Sequence, residues 1–331
     1  MTFGFAFPGQ GSQSVGMLAG LSPAVDSEIR LREGESSGKR TEPAIRDTFA
    51  EASAVLGYDL WELVAQGPAQ RLNSTECTQP AMLAAATATW RLWRGRGGPE
   101  PQVVAGHSLG EFSALVAAGA LDFAAAVDLV RFRGSVMQEA VPAGVGAMAA
   151  ILGLDDAEVI AACAEAAQGG VVEAVNFNAP GQVVIAGARA PVERAIEAAK
   201  RRGAKRAVAL PVSVPSHSSL MSAAAQRLGE RLAKVDFQTP RIRFVSAVDA
   251  ASHAESADLR QLLVRQLSSP VRWSETVRAL AASGARALIE CGPGKVLTAL
   301  NRRIARDLQS FALEDAGSLQ SALDWCRAAA P

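Results

Sequence analysis

Gln102-Val103-Val104-Ala105-Gly106-His107-Ser108-Leu109-Gly110-Glu111 is the stretch that decides how the chain is read. Residues 102–105 form a short apolar strand, 106–110 are too rich in small residues to continue it, and 111–118 have helical composition. Strand, sharp turn and helix follow within seventeen residues. Gly106-His107-Ser108-Leu109-Gly110 fits G-x-S-x-G, in which a serine sits on a strained turn and small residues two positions away on either side let the backbone fold back. Such a turn exposes the Ser108 hydroxyl and places it at a helix N-terminus, where free N–H groups and the helix dipole favour a developing oxyanion. A purely structural turn needs none of this, so Ser108 is the candidate nucleophile.

Working outward, residues 2–7 read as a buried first strand running into the loop Pro8-Gly9-Gln10-Gly11-Ser12-Gln13. Helical patterning is expected at 43–56, 61–64, 80–93 and 122–139, with Pro80 at a first-turn position. Between 144 and 212 the order is strand, helix, strand, strand, helix, strand, which describes a ferredoxin-like unit. Asp155 with Glu158 three residues on fits a helix-start box there. Buried strands are expected again at 242–248 and 286–291. Strands alternating with helices imply a parallel sheet covered on both faces. The ferredoxin-like segment interrupts that pattern, so it reads as an insert in a larger α/β domain. The expected division is a catalytic subdomain at 1–141 and 211–331 and a small subdomain at 142–210. A polar, mixed-charge stretch at 22–42 reads as a surface-loop insertion.

A serine nucleophile needs a base, and His titrates near neutrality. The chain has three. His107 adjoins the nucleophile and is better placed to shape the site than to take its proton. His253 lies in a polar stretch and reads as a solvated loop residue. His217, in Val214-Pro215-Ser216-His217-Ser218, follows an apolar strand, where loops of α/β sheets carry function, and is the candidate base. On the helix expected at 122–139, Arg133 shares the apolar face with Val130 and Met137. A buried guanidinium is costly unless it meets an anion. A structural ion pair and a clamp for a substrate carboxylate both fit. The loop after the first strand, at Gln10 and Gly11, can supply a backbone N–H to an oxyanion beside that of Leu109, the residue after the nucleophile. Its glycines do not match G-x-G-x-x-G and no Lys follows, which disfavours a nucleotide site.

The 331 residues carry 33 Lys+Arg against 33 Asp+Glu, so no long-range field attracts nucleic acid or an anionic membrane. Cys77, Cys163, Cys291 and Cys326 are far apart without a CxxC pair, which suggests neither a metal site nor a disulfide framework. No uninterrupted apolar stretch reaches the roughly 18 residues of a membrane helix. A cytoplasmic enzyme or binding protein is the expectation.

Pro8-Gly9-Gln10-Gly11-Ser12-Gln13, Gly106-His107-Ser108-Leu109-Gly110-Glu111, Arg133-Gly134, Asn176-Phe177-Asn178, Pro215-Ser216-His217, Val264-Arg265-Gln266-Leu267 and Gly292-Pro293-Gly294-Lys295-Val296-Leu297 occur in an order and spacing that resembles the malonyl-CoA:acyl carrier protein transacylases. The resemblance covers nearly the whole chain. It implies an α/β-hydrolase-like large subdomain with an inserted ferredoxin-like small subdomain and an active site between them. Ser108 is then the nucleophile, His217 the base, and Arg133 the partner of the malonyl carboxylate. Gln10 and Leu109 supply the oxyanion hole, and the backbone carbonyl of Gln266 orients the His in place of a triad acid. Asn176, Asn178, His107 and Met137 belong to the substrate cleft. The implied reaction is ping-pong transfer of malonyl from malonyl-CoA to the phosphopantetheine thiol of acyl carrier protein for fatty acid synthesis, by a monomer with no metal or other cofactor. Arg201, Arg202, Lys205, Arg206, Arg302 and Arg303 are candidates for a basic rim facing the acidic carrier. A discrete polyketide-synthase acyltransferase choosing malonyl or methylmalonyl shares these motifs, and a plain serine esterase shares G-x-S-x-G. The pair Ser246-Ala247 departs from the Asn common in relatives.

Overall fold

The computed structural model describes residues 2–21, 42–142, 144–212 and 214–328. Residues 22–41 of the surface-loop insertion expected at 22–42 therefore lie outside the described residues. The strands are β1 (Phe3–Phe7), β2 (Val103–Gly106), β3 (Gly146–Leu152), β4 (Val172–Ala179), β5 (Gln182–Ala188), β6 (Arg206–Ala209), β7 (Arg243–Val245), β8 (Ser252–His253), β9 (Ala287–Glu290) and β10 (Gln309–Ala312). They form an α/β protein with two sheets. Six strands lie in the order β10-β9-β1-β2-β7-β8, all parallel except the β7–β8 pair, and four lie antiparallel in the order β4-β5-β3-β6.

β1 is central and buried at every residue. Its alternation explains how both faces are covered. Phe5 packs edge-on against Trp90 and Trp93 of the helix Thr75–Gly95, and Phe3 and Phe7 share that layer. Gly4 and Ala6 point the other way, where a Cβ on Gly4 would come within 2.9 Å of Val103. Ala6 there joins a second core with Val103, Leu288 and Trp273. The loops leaving β1, β2 and β9 converge at one edge of the sheet: Gly110 packs on the Phe7 carbonyl and Gly292 on Pro8. The carboxyl end of a parallel sheet is where α/β proteins place their sites.

The four-stranded sheet buries one face under the helices Asp156–Ala167 and Arg189–Arg201. Its other face carries Met148, Val184 and Leu210, which look across a cleft towards the β1 and β2 loops. The two sheets are joined where Val271 donates to the Val175 carbonyl and accepts from the Phe177 N–H, both at 2.9 Å.

Several local expectations change. Pro80 lies inside the helix Thr75–Gly95, whose first turn is supplied by Thr75–Gln79. Asp155 precedes the helix Asp156–Ala167 without a side-chain capping bond, and Glu158 is engaged by Arg202 at 2.7 Å instead. The strand expected at 242–248 ends at Val245, because Ser246 and Ala247 turn away to bond Glu111. His253 is half-buried on β8 with Nε2 3.1 Å from Asp249, not solvated in a loop. All four cysteines are free and buried. Among the described residues, no helix is long and apolar enough to cross a membrane.

Candidate active site

β2 ends at Gly106 and the helix Gly110–Ala117 begins four residues later. Between them Ser108 adopts φ +54°, a left-handed backbone that costs a side-chain-bearing residue energy. The flanking glycines are required by contact. A Cβ at Gly106 would lie 2.0 Å from the Gly110 carbonyl carbon, and one at Gly110 would lie 2.0 Å from the Phe7 oxygen. The chain can therefore reverse at Ser108 only with hydrogen at both positions.

His217 also has a left-handed backbone, φ +68°. Its N–H donates to the Leu267 carbonyl at 3.0 Å. Its ring is buried between two partners: Nδ1 lies 2.7 Å from the Gln266 carbonyl and Nε2 lies 2.8 Å from Ser108 Oγ. A carbonyl only accepts, so Nδ1 carries the proton and Nε2 offers its lone pair to the serine hydroxyl. Burial, reinforced by the Arg133 guanidinium, pushes His217 down from its usual 6.5 to about 3. The imidazole is neutral and able to take a proton at physiological pH.

Arg133, on the helix Phe123–Ala140, is 1% exposed. Nη1 donates to Gln79 Oε1 at 2.9 Å, and Nη2 donates to Gln266 Oε1 at 2.9 Å and to Ser108 Oγ at 3.2 Å. Its Nε has no partner among the described residues. Burial lowers the guanidinium to about 10, so it remains cationic. No carboxylate forms an ion pair with it among the described residues; the acceptors it touches are two amides and a hydroxyl. The cation is placed but not neutralised.

Ser108, His217, Arg133, Leu109, Gln10, His107, Met137, Asn176 and Asn178 line one cavity of about 720 Å³ between the two sheets. Gln10 and Leu109 line it, and neither backbone N–H donates to an acceptor among the described residues. The Gln10 loop is pinned by Gln13, which accepts from the Gly11 N–H and donates to Asn73. His107 Nε2 lies 2.8 Å from Asn178 Oδ1 and burial lowers its basicity, so His107 is a neutral wall of the cleft. Met137 Sδ accepts from Gln79 at 3.4 Å. Of the basic-rim candidates, Arg201 and Arg202 are engaged by Glu165 and Glu158, and Arg303 reaches the Pro180 carbonyl and Gln182.

Three participants escape sequence reasoning: Gln79, the side chain of Gln266, and Glu111. The Gln266 amide donates to the Ser108 carbonyl at 2.9 Å and to Glu111 Oε2. Glu111 is fully buried behind the elbow, and burial raises it to about 7 against the pull of its donors Ser246, Ala247 and Gln266. A lone Gln in the buried stretch Cys77–Thr89, whose other residues are mostly small or apolar, is a faint signal for Gln79. Nothing in the pattern marks the other two side chains.

The acyl transferase domain family model matches residues 4–321. The chain is 53% identical to a malonyl CoA-acyl carrier protein transacylase of Salmonella typhimurium, over 97% of this chain and 98% of that one. It is 43% identical to the protein of the same name from Bacillus subtilis, over 96% and 95%. Among solved structures, it superposes with TM-score 0.91 and 51% identity on a malonyl-transacylase in complex with a type II PKS acyl-carrier protein, covering 98% of this chain and 99% of that one.

Proposed function

The chain belongs to the acyl transferase domain family, and from that premise we propose that it moves malonyl from malonyl-CoA to the phosphopantetheine thiol of acyl carrier protein, for fatty acid synthesis, through a malonyl ester on Ser108. The observation that carries this reading is Arg133: a buried cation 3.2 Å from the nucleophile whose acceptors are all neutral. Such a site suits an acyl group that ends in a carboxylate, and the paired guanidinium N–H groups can receive it in bidentate fashion. A plain esterase has no use for a buried cation there.

In the first half-reaction His217 Nε2 takes the Ser108 proton as Oγ attacks the thioester carbonyl. The N–H groups of Gln10 and Leu109 receive the oxyanion. The Gln266 carbonyl stabilises the imidazolium through Nδ1–H in place of a triad carboxylate. Collapse breaks the C–S bond, and the imidazolium returns its proton to the CoA thiolate. In the second half-reaction the carrier's thiol gives its proton to His217 and attacks the ester, and the same proton then goes back to Ser108.

On this reading residues 1–141 with 211–331 are an α/β-hydrolase-like catalytic subdomain and 142–210 a ferredoxin-like one, the latter forming the second wall of the cleft with Asn176 and Asn178. The enzyme works as a cytoplasmic monomer. Intact mass after mixing with malonyl-CoA tests the reading: one malonyl adduct is expected, absent in Ser108→Ala, and transferable to holo acyl carrier protein. A protein that hydrolyses the thioester without a retained adduct, or an adduct that persists in Ser108→Ala, refutes it.

A further inference from the structure

Glu111 follows Ser108 by three residues and does not line the cleft, yet it is 0% exposed and carries three donors. Ser246 Oγ donates to Oε1 at 2.8 Å, the Ala247 N–H donates to the same oxygen at 2.6 Å, and the Gln266 amide N–H donates to Oε2. Ser246 in turn accepts from the Val248 N–H at 3.1 Å, so its own proton is directed at Glu111. Both carboxylate oxygens are met only by donors. On the other side, the Gln266 amide oxygen accepts from Arg133 Nη2 at 2.9 Å.

A side-chain amide can face either way in a site unless its neighbours differ in polarity. Here they do: guanidinium on one side, and on the other the Glu111 carboxylate beside the Ser108 carbonyl. We infer that Glu111 is a positioning residue for acyl recognition, its carboxylate holding the Gln266 amide with oxygen towards Arg133 and so keeping the guanidinium aimed at Ser108. This rests on the reading of Arg133 as the receiver of the malonyl carboxylate. The neutral isostere cannot replace Glu111. With Gln at 111, its NH2 must meet either the Ala247 N–H or the Gln266 amide. In the second case Gln266 turns, gives up the Ser108 carbonyl and presents N–H to the guanidinium, and Arg133 keeps only Gln79 of its two amide anchors.

The test is acylation of Ser108 by malonyl-CoA and by acetyl-CoA, followed by quenched intact mass, with KM and kcat separated for each. Glu111→Gln should lower malonyl kcat/KM roughly 10- to 100-fold, the size expected for losing a bond to a charged group, chiefly through KM. Acetyl loading, which brings no carboxylate to Arg133, should stay within about threefold. Ser246→Ala, which removes one donor and preserves the fold more surely, should shift the same ratio in the same direction by less. Equal losses for both acyl groups in either folded variant, or an unchanged ratio, overturn the inference. Arg133→Ala in the same assay separates the two readings. If it keeps malonyl preference, the clamp itself fails; if it loses preference while Glu111→Gln and Ser246→Ala keep it, only the role of Glu111 fails.

Discussion

Ser108 Oγ and His217 Nε2 meet at 2.8 Å from two backbones that are both left-handed, φ +54° and +68°. Neither residue is glycine, so each conformation is held against its local preference by what surrounds it. For Ser108 the hold is steric, through Gly106 and Gly110. For His217 it comes from the Leu267 carbonyl on its N–H and the Gln266 carbonyl on its ring. One short segment, Gln266-Leu267, fixes both the backbone and the tautomer of the base.

The steric hold makes a first prediction. Gly106→Ala places a Cβ about two ångströms from backbone at Gly110 and Glu111, and Gly110→Ala does the same at Phe7. Backbone cannot move aside as a flexible side chain can, so each substitution should cost at least about 2 kcal/mol in urea unfolding. Any protein that folds should form acyl-enzyme far more slowly, because the hydroxyl no longer stands 2.8 Å from His217. Near-normal acylation in folded Gly106→Ala would contradict the requirement.

Arg133 makes a second. Its two terminal nitrogens hold separate acceptors, Gln79 and Gln266, with Ser108 as a third. Lysine keeps a charge but not the planar fork. Arg133→Lys should therefore retain folding and acetyl loading while malonyl kcat/KM falls roughly 10- to 100-fold, as expected when a bidentate charged contact becomes a single one. Malonyl kinetics matching the parent enzyme would show that charge alone suffices.

The third concerns acid. His217 is held at about 3 by burial and by Arg133. Acetyl loading, which isolates the base from carboxylate recognition, should then show no loss centred near pH 6.5, and the base should remain available at pH 5. Arg133→Ala removes one of the causes that lower it, burial and His107 remaining, and should move the acid limb upward, which acetyl loading can report. The stability sign follows from the same shift. The folded chain binds a proton at His217 less readily than the unfolded chain, so stability from this group is full above about pH 6.5 and is lost as pH falls towards about 3. Urea midpoints for the parent and for His217→Gln should diverge less at pH 4 than at pH 7 if this holds. Glu111 and Glu290, both raised to about 7, act oppositely between their ordinary values and 7, which is why the comparison with the variant is needed.

The parts of the site that sequence made legible are those with a local pattern. The elbow shows as small residues around Ser108, Arg133 shows through its helical phase with Val130 and Met137, and His217 emerges from a choice among three. Element order separated the parallel sheet from the four-stranded one. What pattern could not show is what is made in three dimensions. Gln266 works through its backbone carbonyl and its amide at once, towards residues 49 and 133 positions away. Glu111 sits on a helix buried at almost every residue, so no amphipathic contrast marks it as an odd charge. Pro80 departs from its first-turn expectation for a related reason: a residue with strong start-of-helix preference is tolerated inside a long helix whose surrounding residues are buried on all sides.

The buried carboxylate yields the last prediction. Glu111 faces Arg133 and His217 across Gln266, and Asp249 adds a further push upward to the effect of burial. Around neutral pH Arg133 stays cationic and His217 neutral. Glu111, raised to about 7, is the member of this network that titrates there. A carboxyl that keeps its proton has one donor and no longer presents acceptors at both oxygens, so its grip on the Gln266 amide weakens as pH falls. The ratio of malonyl to acetyl loading should therefore rise with pH through about 7 in the parent enzyme, while in Glu111→Gln it should be low and flat. Measured from pH 6 to 8, a parent ratio that does not change, or a variant ratio that changes in parallel with it, would assign the dependence elsewhere.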